Sequence, residues 1–154
     1  MGEVRAPLGP EARKMLATDV GRVVEIEHEA FTSPWKAETF MTLLERPGAE
    51  LWVLEHPRDG VVGYAVLWCI LDQGELANIA VTAEHRGHGL GAFLLGRVID
   101  VARSRGVESL YLEVRVSNVE AIRLYRTFGF KDLAVRKDYY DTPREDALVM
   151  MVGL

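Results

Sequence analysis

The stretch Asn78-Ile79-Ala80-Val81-Thr82-Ala83-Glu84-His85-Arg86-Gly87-His88-Gly89-Leu90-Gly91-Ala92 changes its period in the middle. Glu75 to Val81 is an extended-type run. From Leu90 to Arg105, Leu90, Leu94, Val98, Val101 and Ala102 fall on one helical stripe, with Arg97, Asp100, Ser104 and Arg105 away from it. Between strand and helix lie three glycines beside an arginine. Glycines let consecutive backbone N–H groups point into one concavity without Cβ obstruction, and the helix N-terminus adds partial positive charge, so this turn suits a phosphate or pyrophosphate. Arg86 would add a full charge. A purely structural turn is the alternative, but three glycines next to an arginine favour ligand binding. A dinucleotide fold is the poorer fit, although Gly87-x-Gly89-x-x-Ala92 formally satisfies its fingerprint with Glu113 as the acidic residue. That fingerprint follows the first strand of a parallel unit, whereas an extended meander precedes this turn and Thr82 to Arg86 intervene. A Walker loop is excluded because no Gly-Lys-Ser/Thr follows.

Upstream, Val20, Val23, Val24, Ile26 and Ala30 predict a helix capped by Thr18 or Asp19, and Ser33-Pro34 opens a second one from Trp35 to about Leu44, ended by Gly48. Glu50 to Glu55, Val61 to Leu71 and Glu75 to Val81, separated by short glycine-containing turns, predict an antiparallel meander. Downstream, Gly106 ends the helix, and Leu110, Leu112 and Val114 alternate with Tyr111, Glu113 and Arg115. Glu113 therefore faces away from the apolar side of its strand. Ser117-Asn118-Val119-Glu120 has capping-box spacing before a helical stripe of Ala121, Leu124, Tyr125 and Phe128, which stops at Gly129. Lys131 to Arg136 and Ala147 to Val152 are the last extended segments, joined by a polar, turn-forming Asp138 to Asp146. This order is an α+β, or mixed α/β, layout.

The whole chain bounds the reading. Its 154 residues, 49% hydrophobic and 27% charged, make one domain: residues 1–10 read as a flexible N-terminal arm and 11–154 as the folded unit. A net charge of −5 argues against bulk binding to nucleic acid or an anionic membrane surface, and the longest uncharged apolar run, Val61 to Leu71, is 11 residues, too short for a span. There is no export signal, and the single cysteine, Cys69, cannot form an internal disulfide, so a cytoplasmic setting is expected. The charge is uneven: Met1 to His85 sums to −7, Arg86 to Lys131 to +4 and Asp132 to Leu154 to −2. A basic segment around the glycine-rich turn fits a phosphate-rich ligand, and the acidic remainder fits a basic partner.

The turn with its surroundings resembles the acetyl-CoA signature of the GNAT N-acetyltransferase superfamily: a strand, here Asn78-Ile79-Ala80-Val81, then Arg/Gln-x-x-Gly-x-Gly/Ala and a helix. Leu112-Glu113-Val114-Arg115, Ser117-Asn118, Ala121-Ile122, Leu124-Tyr125, Phe128-Gly129-Phe130, Tyr139-Tyr140 and Arg144-Glu145-Asp146-Ala147 resemble the ribosomal-protein-alanine N-acetyltransferase (RimI) branch, as do Phe31 to Trp35 and Glu38-Thr39-Phe40. The likeness runs from about Asp19 to Met151. It implies a GNAT-like single domain, with a central mixed, mostly antiparallel sheet of about seven strands flanked by about four helices. That branch commonly has an aromatic residue and a Gln where this chain has His85 and His88; backbone amides would make the phosphate contacts, so little effect is expected. Two histidines on a turn without a third nearby ligand do not make a metal site, and no metal is expected.

The resemblance also implies roles. Acetyl transfer to an amine needs the amine neutral, the thioester carbonyl polarised and the leaving thiolate protonated. Glu113 takes the position of the base; judged on the residue alone, it reads as a surface ion pair with Arg115 or Lys131. Tyr125 takes that of the acid towards the coenzyme thiolate, and its alternative is a packed ring; both can hold. Acetyl-CoA would lie along Ile79, Ala80 and Val81 and on the turn formed by Arg86, Gly87, His88, Gly89, Leu90, Gly91 and Ala92, with Asn118 as a further contact. Trp35, Tyr139 and Tyr140 would line a peptide groove, or else close the end of a core. The implied acceptor is a protein N-terminus, most specifically the N-terminal alanine of a small-subunit ribosomal protein. A small amine or a lysine as acceptor, and a non-catalytic CoA-binding module, are the competing readings. The oligomeric state is not legible, with a monomer favoured.

Overall fold

The computed structural model describes residues 9–154. Of the arm expected over residues 1–10, all but Gly9 and Pro10 lie outside the described residues. The elements run β1 (Glu11–Lys14), α1 (Val20–Ala30), α2 (Ala37–Leu44), β2 (Ala49–His56), β3 (Gly60–Ile70), β4 (Gln73–Val81), α3 (Leu90–Ser104), β5 (Ser109–Arg115), α4 (Val119–Thr127), β6 (Lys131–Asp141) and β7 (Arg144–Gly153), with 3₁₀ turns at Ala17–Asp19 and Ala83–His85. They form one seven-stranded sheet in the order β1-β2-β3-β4-β5-β7-β6. Among the described residues only β4 and β5 pair in parallel. The expected α+β layout, with its antiparallel meander, is the one the chain forms.

Helices cover both faces of the sheet. Leu94, Leu95 and Val98 of α3 and Ile122 and Tyr125 of α4 share one core with Leu110, Leu112, Val114 and Met150, while Val23, Ile26 and Phe40 of α1 and α2 share the other with Leu51, Val53 and Tyr64. The central strand β3 supplies both: Val62, Ala65 and Leu67 to the first, Val61, Tyr64 and Val66 to the second. Burial on two faces explains why its sequence is a nearly unbroken apolar run. No helix among the described residues is long and apolar enough to cross a membrane.

Several local expectations need correction. Strand β1 has no apolar signature because it is an edge strand, held to β2 by its backbone and by Arg13, which bonds Glu55 at 2.9 Å and Asp19 at 2.8 Å. Asp19 does not cap α1 with its side chain; its carboxylate takes the Leu16 N–H at 2.8 Å and so closes the 3₁₀ turn ahead of the helix. Helix α2 starts at Ala37 rather than Trp35, because the backbone is still extended at its N-cap, Lys36 (φ −87°, ψ 163°), while the Trp35 N–H is held outside the helix by the Glu27 carboxylate at 2.8 Å. At α4 the cap is Asn118, which accepts from the Ala121 N–H at 3.3 Å, while the Ser117 N–H goes to Glu145 at 2.6 Å. The largest correction concerns Asp138 to Asp146. Most of it is strand: the β6–β7 hairpin continues to Asp141 and Arg144, with a tight turn at Thr142-Pro143.

One irregularity positions the site. Strands β4 and β5 pair only from Gln73 to Leu76 and from Ser109 to Leu112. There the β3–β4 register shifts, with Leu67 opposite Leu76 but Val66 opposite Asn78, so Ala77 is an extra residue. Such a bulge bends its strand. Asn78–Val81 stay on β3 and Glu113–Arg115 stay on β7. The two strands part, and the edge of Asn78–Val81 that faces β5 has no strand beside it.

Candidate active site

Strand β4 leads from the opening straight into the glycine-rich turn. Gly87 and Gly89 have φ of 81° and 77°, a left-handed conformation that L side chains rarely adopt. Gly89 is the N-cap of α3, and both glycines and His88 are exposed. The first N–H groups of α3, at Leu90, Gly91 and Ala92, have no partner within the helix and sit at the positive end of a 15-residue dipole. Arg86 folds back, its Nε donating to the Val81 carbonyl at 3.0 Å, which fixes the turn against the end of β4. A shallow cleft lined by Arg86, Gly87, Glu120, Arg123, Leu124 and Thr127 joins this turn to α4. The site thus offers strand edge, amides and two guanidinium groups in sequence, which fits an extended ligand ending in phosphates.

The opening separates two chemistries. Leu112 and Val114 belong to the core under α3 and α4, so alternation sends Glu113 to the opposite face of the sheet. Tyr125, in the α3–α4 core, lies on the other side. Glu113 is only 19% exposed, and its nearest cation is Arg136 at 3.5 Å, itself 59% exposed, rather than Arg115 or Lys131. So loose a pair leaves the carboxylate largely free. Burial, and then the neighbouring Tyr140, push the Tyr125 hydroxyl up to about 12, so it is protonated at neutral pH. Its ring also packs, 5.7 Å from Phe130. A protonated hydroxyl and a packed ring thus belong to one side chain.

The β6–β7 hairpin brings Tyr139 and Tyr140 to Glu113. Five residues of β6, Arg136 to Tyr140, are matched against three of β7, Ala147 to Glu145, with Asp138 at φ 52° in the irregular stretch and its N–H on Asp146 at 2.9 Å. The two rings meet edge to face, 5.0 Å apart. Hydrogen bonding to the Glu113 carboxylate, with burial, pushes the Tyr139 hydroxyl up to about 12, and burial followed by Glu113 raises that of Tyr140. Arg115 ties this wall together: it stacks 4.3 Å over Tyr140, bonds Glu145 at 3.1 Å, and donates to the carbonyls of Pro143 and Thr142 at 2.9 and 3.1 Å. It also reaches Thr32 of the α1–α2 loop at 3.2 Å, and the Thr32 hydroxyl donates to the Thr142 carbonyl. The two segments expected to bound an acceptor groove thus touch each other.

Trp35 itself is not part of the Glu113 group. Its ring lies 5.5 Å from Phe40 against the α1–α2 core, and its backbone is anchored by Glu27. Glu27, which no sequence pattern singles out from its helix, is 1% exposed and accepts from the Trp35 N–H, from Asn78 Nδ2 at 2.8 Å and from the Tyr64 hydroxyl. Burial, reinforced by Glu27, raises the Tyr64 hydroxyl far above its ordinary range. One carboxylate therefore fixes α1, the loop before α2, and the point where β4 leaves β5. Glu27→Ala should lower stability by about 3 kcal/mol, because three buried donors lose their acceptor. Urea unfolding measures it, and a change below about 1 kcal/mol would contradict this role.

A seven-stranded sheet parted after its parallel pair, with a glycine-rich turn and helix N-terminus at the parting, is the scaffold of an acetyltransferase. Residues 20–130 match the Acetyltransferase (GNAT) family, and the chain belongs to it. A Bacillus subtilis (strain 168) protein, provisionally named for alanine N-acetylation of ribosomal protein bS18, is 41% identical over 144 residues, covering 92% of this chain and 94% of that protein. The ribosomal protein bS18-alanine N-acetyltransferase of Escherichia coli (strain K12) is 38% identical over 140 residues, covering 89% and 93%. The crystal structure of the Escherichia coli ribosomal-protein-S18-alanine N-acetyltransferase superposes with a TM-score of 0.85 at 34% identity, covering 94% of this chain and 93% of that one.

Proposed function

We propose that this chain transfers the acetyl group of acetyl-CoA to the N-terminal α-amine of a protein, with an alanine-initiated small-subunit ribosomal protein as its acceptor. The observation that carries the reading is the parted β4–β5 pair, with a phosphate-type cradle at one end and a carboxylate on the face opposite a buried tyrosine. The names of the relatives above supply the acceptor. Acetyl-CoA, as substrate, brings the activated thioester.

The chain's own groups divide the remaining work. The free edge of Ile79, Ala80 and Val81 holds the pantetheine arm as a missing strand would, and a backbone N–H there polarises the thioester carbonyl. The amides from Gly87 to Ala92, with Arg86 and Arg123, hold the phosphates, and the uncommitted Nδ2 of Asn118 faces the same ligand. From the other face, Glu113 removes the ammonium proton, directly or through water. Tyr125 holds its proton up to about pH 12 and donates a hydrogen bond to the sulfur as negative charge develops there. A thiol near pKa 8.5 is the stronger acid of the two, so stabilising the leaving sulfur by that bond is the larger share of the tyrosine's contribution. Tyr139, Tyr140 and the α1–α2 loop bound the amine's approach, with Trp35 supporting that loop from the core.

Mass spectrometry on a peptide bearing a free N-terminal alanine and an internal lysine, incubated with enzyme and acetyl-CoA, tests the reading. One acetyl group at the N-terminus is expected. Acetate on lysine alone, preference for a competing polyamine, or no acetylation by protein that binds the coenzyme would each replace this proposal.

A further inference from the structure

We propose that His56, Asp59 and His85 form a binding site for a divalent transition-metal ion of the zinc type, as three protein ligands with water at a fourth position. His56 ends β2, Asp59 lies in the β2–β3 turn, and His85 closes the 3₁₀ turn that precedes the glycine-rich turn. One ligand atom from each lies within 4.8 Å of the other two. His85 Nε2 is 2.8 Å from Asp59 Oδ2, and His56 Nδ1 is 3.5 Å from the same oxygen. Around a tetrahedral ion with bonds of about 2.0–2.2 Å, ligand atoms stand about 3.3–3.6 Å apart. The His56–Asp59 separation already has that value. The His85–Asp59 contact has to open by about 0.5–0.8 Å, which replaces the proton between them with the ion.

Two further features distinguish this cluster from three polar residues at a turn. His85 Nδ1 lies 2.7 Å from the hydroxyl of Thr82, a residue only 4% exposed, so the ring is held with Nε2 towards Asp59. An outer hydrogen bond of this kind is what orients metal-binding histidines. The side chains of His85 and His56 are 15% and 27% exposed and their rings 5.2 Å apart, while that of Asp59 is 52% exposed, leaving an open side for ion and water. His56 Nδ1 also accepts long bonds from the amides of Arg58 and Asp59, at 3.2 and 3.3 Å, and ligation through this nitrogen would exchange them. Imidazole and carboxylate together suit zinc better than magnesium or calcium. The sequence pairs His85 with His88 and finds no third ligand; the fold pairs it instead with His56 and Asp59. A bound ion would fasten the β2–β3 turn to the segment entering the glycine-rich turn, whatever the acceptor of the reaction.

The test uses untagged protein stripped with chelator, then titrated with zinc chloride by calorimetry and with cobalt(II) by visible absorption. One equivalent should bind, cobalt should give the intense absorption of a tetrahedral site, and zinc should raise the thermal midpoint. His56→Ala and Asp59→Asn should each weaken binding by at least about tenfold and remove that rise, while His28→Ala should keep both. Midpoints without metal report whether the variants remain folded. Absence of saturable uptake by the parent protein, or uptake unchanged in both His56→Ala and Asp59→Asn, overturns the proposal.

Discussion

Glu113→Gln is expected to lower kcat for peptide acetylation by about 10²- to 10⁴-fold, with coenzyme affinity and thermal midpoint close to the parent values. The range is that of a positioned general base, and the side chain's setting makes the variant a clean probe. Glutamine keeps the volume and an oxygen acceptor for Tyr139, and the ion pair lost with Arg136 is long, with an exposed guanidinium. The fold therefore has little at stake, whereas an amide cannot take the ammonium proton. Single-turnover rates at saturating acetyl-CoA are the measurement. A rate within about threefold of the parent, with coenzyme still bound, would assign the base to another group.

Gly89→Glu is expected to weaken CoA binding by at least about 100-fold, since like-charge contact with a phosphate costs several kcal/mol. Space is not the obstacle, for a Cβ at Gly89 meets nothing within 4 Å. Conformation costs something, because φ is +77° and a non-glycine residue there is strained by about 1–2 kcal/mol. Gly89→Ala separates the two: it carries the strain without the charge and should retain most of the affinity. Calorimetry with CoA decides, and unaltered affinity in Gly89→Glu would contradict a phosphate site at this turn.

Legibility in the sequence followed how local each cause is. The glycine-rich turn, α3, and the sidedness of Glu113 were readable because left-handed glycines, a helical stripe and strand alternation act over a few residues. Strand β1 was not, since an edge strand buried on neither face has no apolar period and is held by pairing and by Arg13. Of the β6–β7 hairpin the two inner segments are legible, but its outer part, Asp138 to Asp146, reads as a polar turn because its residues are mostly exposed and a chain irregularity around Asp138 breaks the alternation. Glu27 looked like any helical carboxylate. Its importance comes from Trp35, Tyr64 and Asn78, which reach it from three other parts of the chain.

What the sequence by itself determined is the class of fold, the glycine-rich turn and, through resemblance, the family and the residues to examine. What only the tertiary structure decided is where those residues stand relative to one another. The extra residue Ala77 stands where β4 parts from β5, Glu113 lies on the sheet face opposite the core that holds Tyr125, and the hairpin returns Tyr139 and Tyr140 to Glu113. The same folding sets His85 against His56 and Asp59 rather than beside His88. Periodicity reports which face of an element is buried. Which elements meet depends on packing between segments far apart in the chain, and no local pattern encodes that distance.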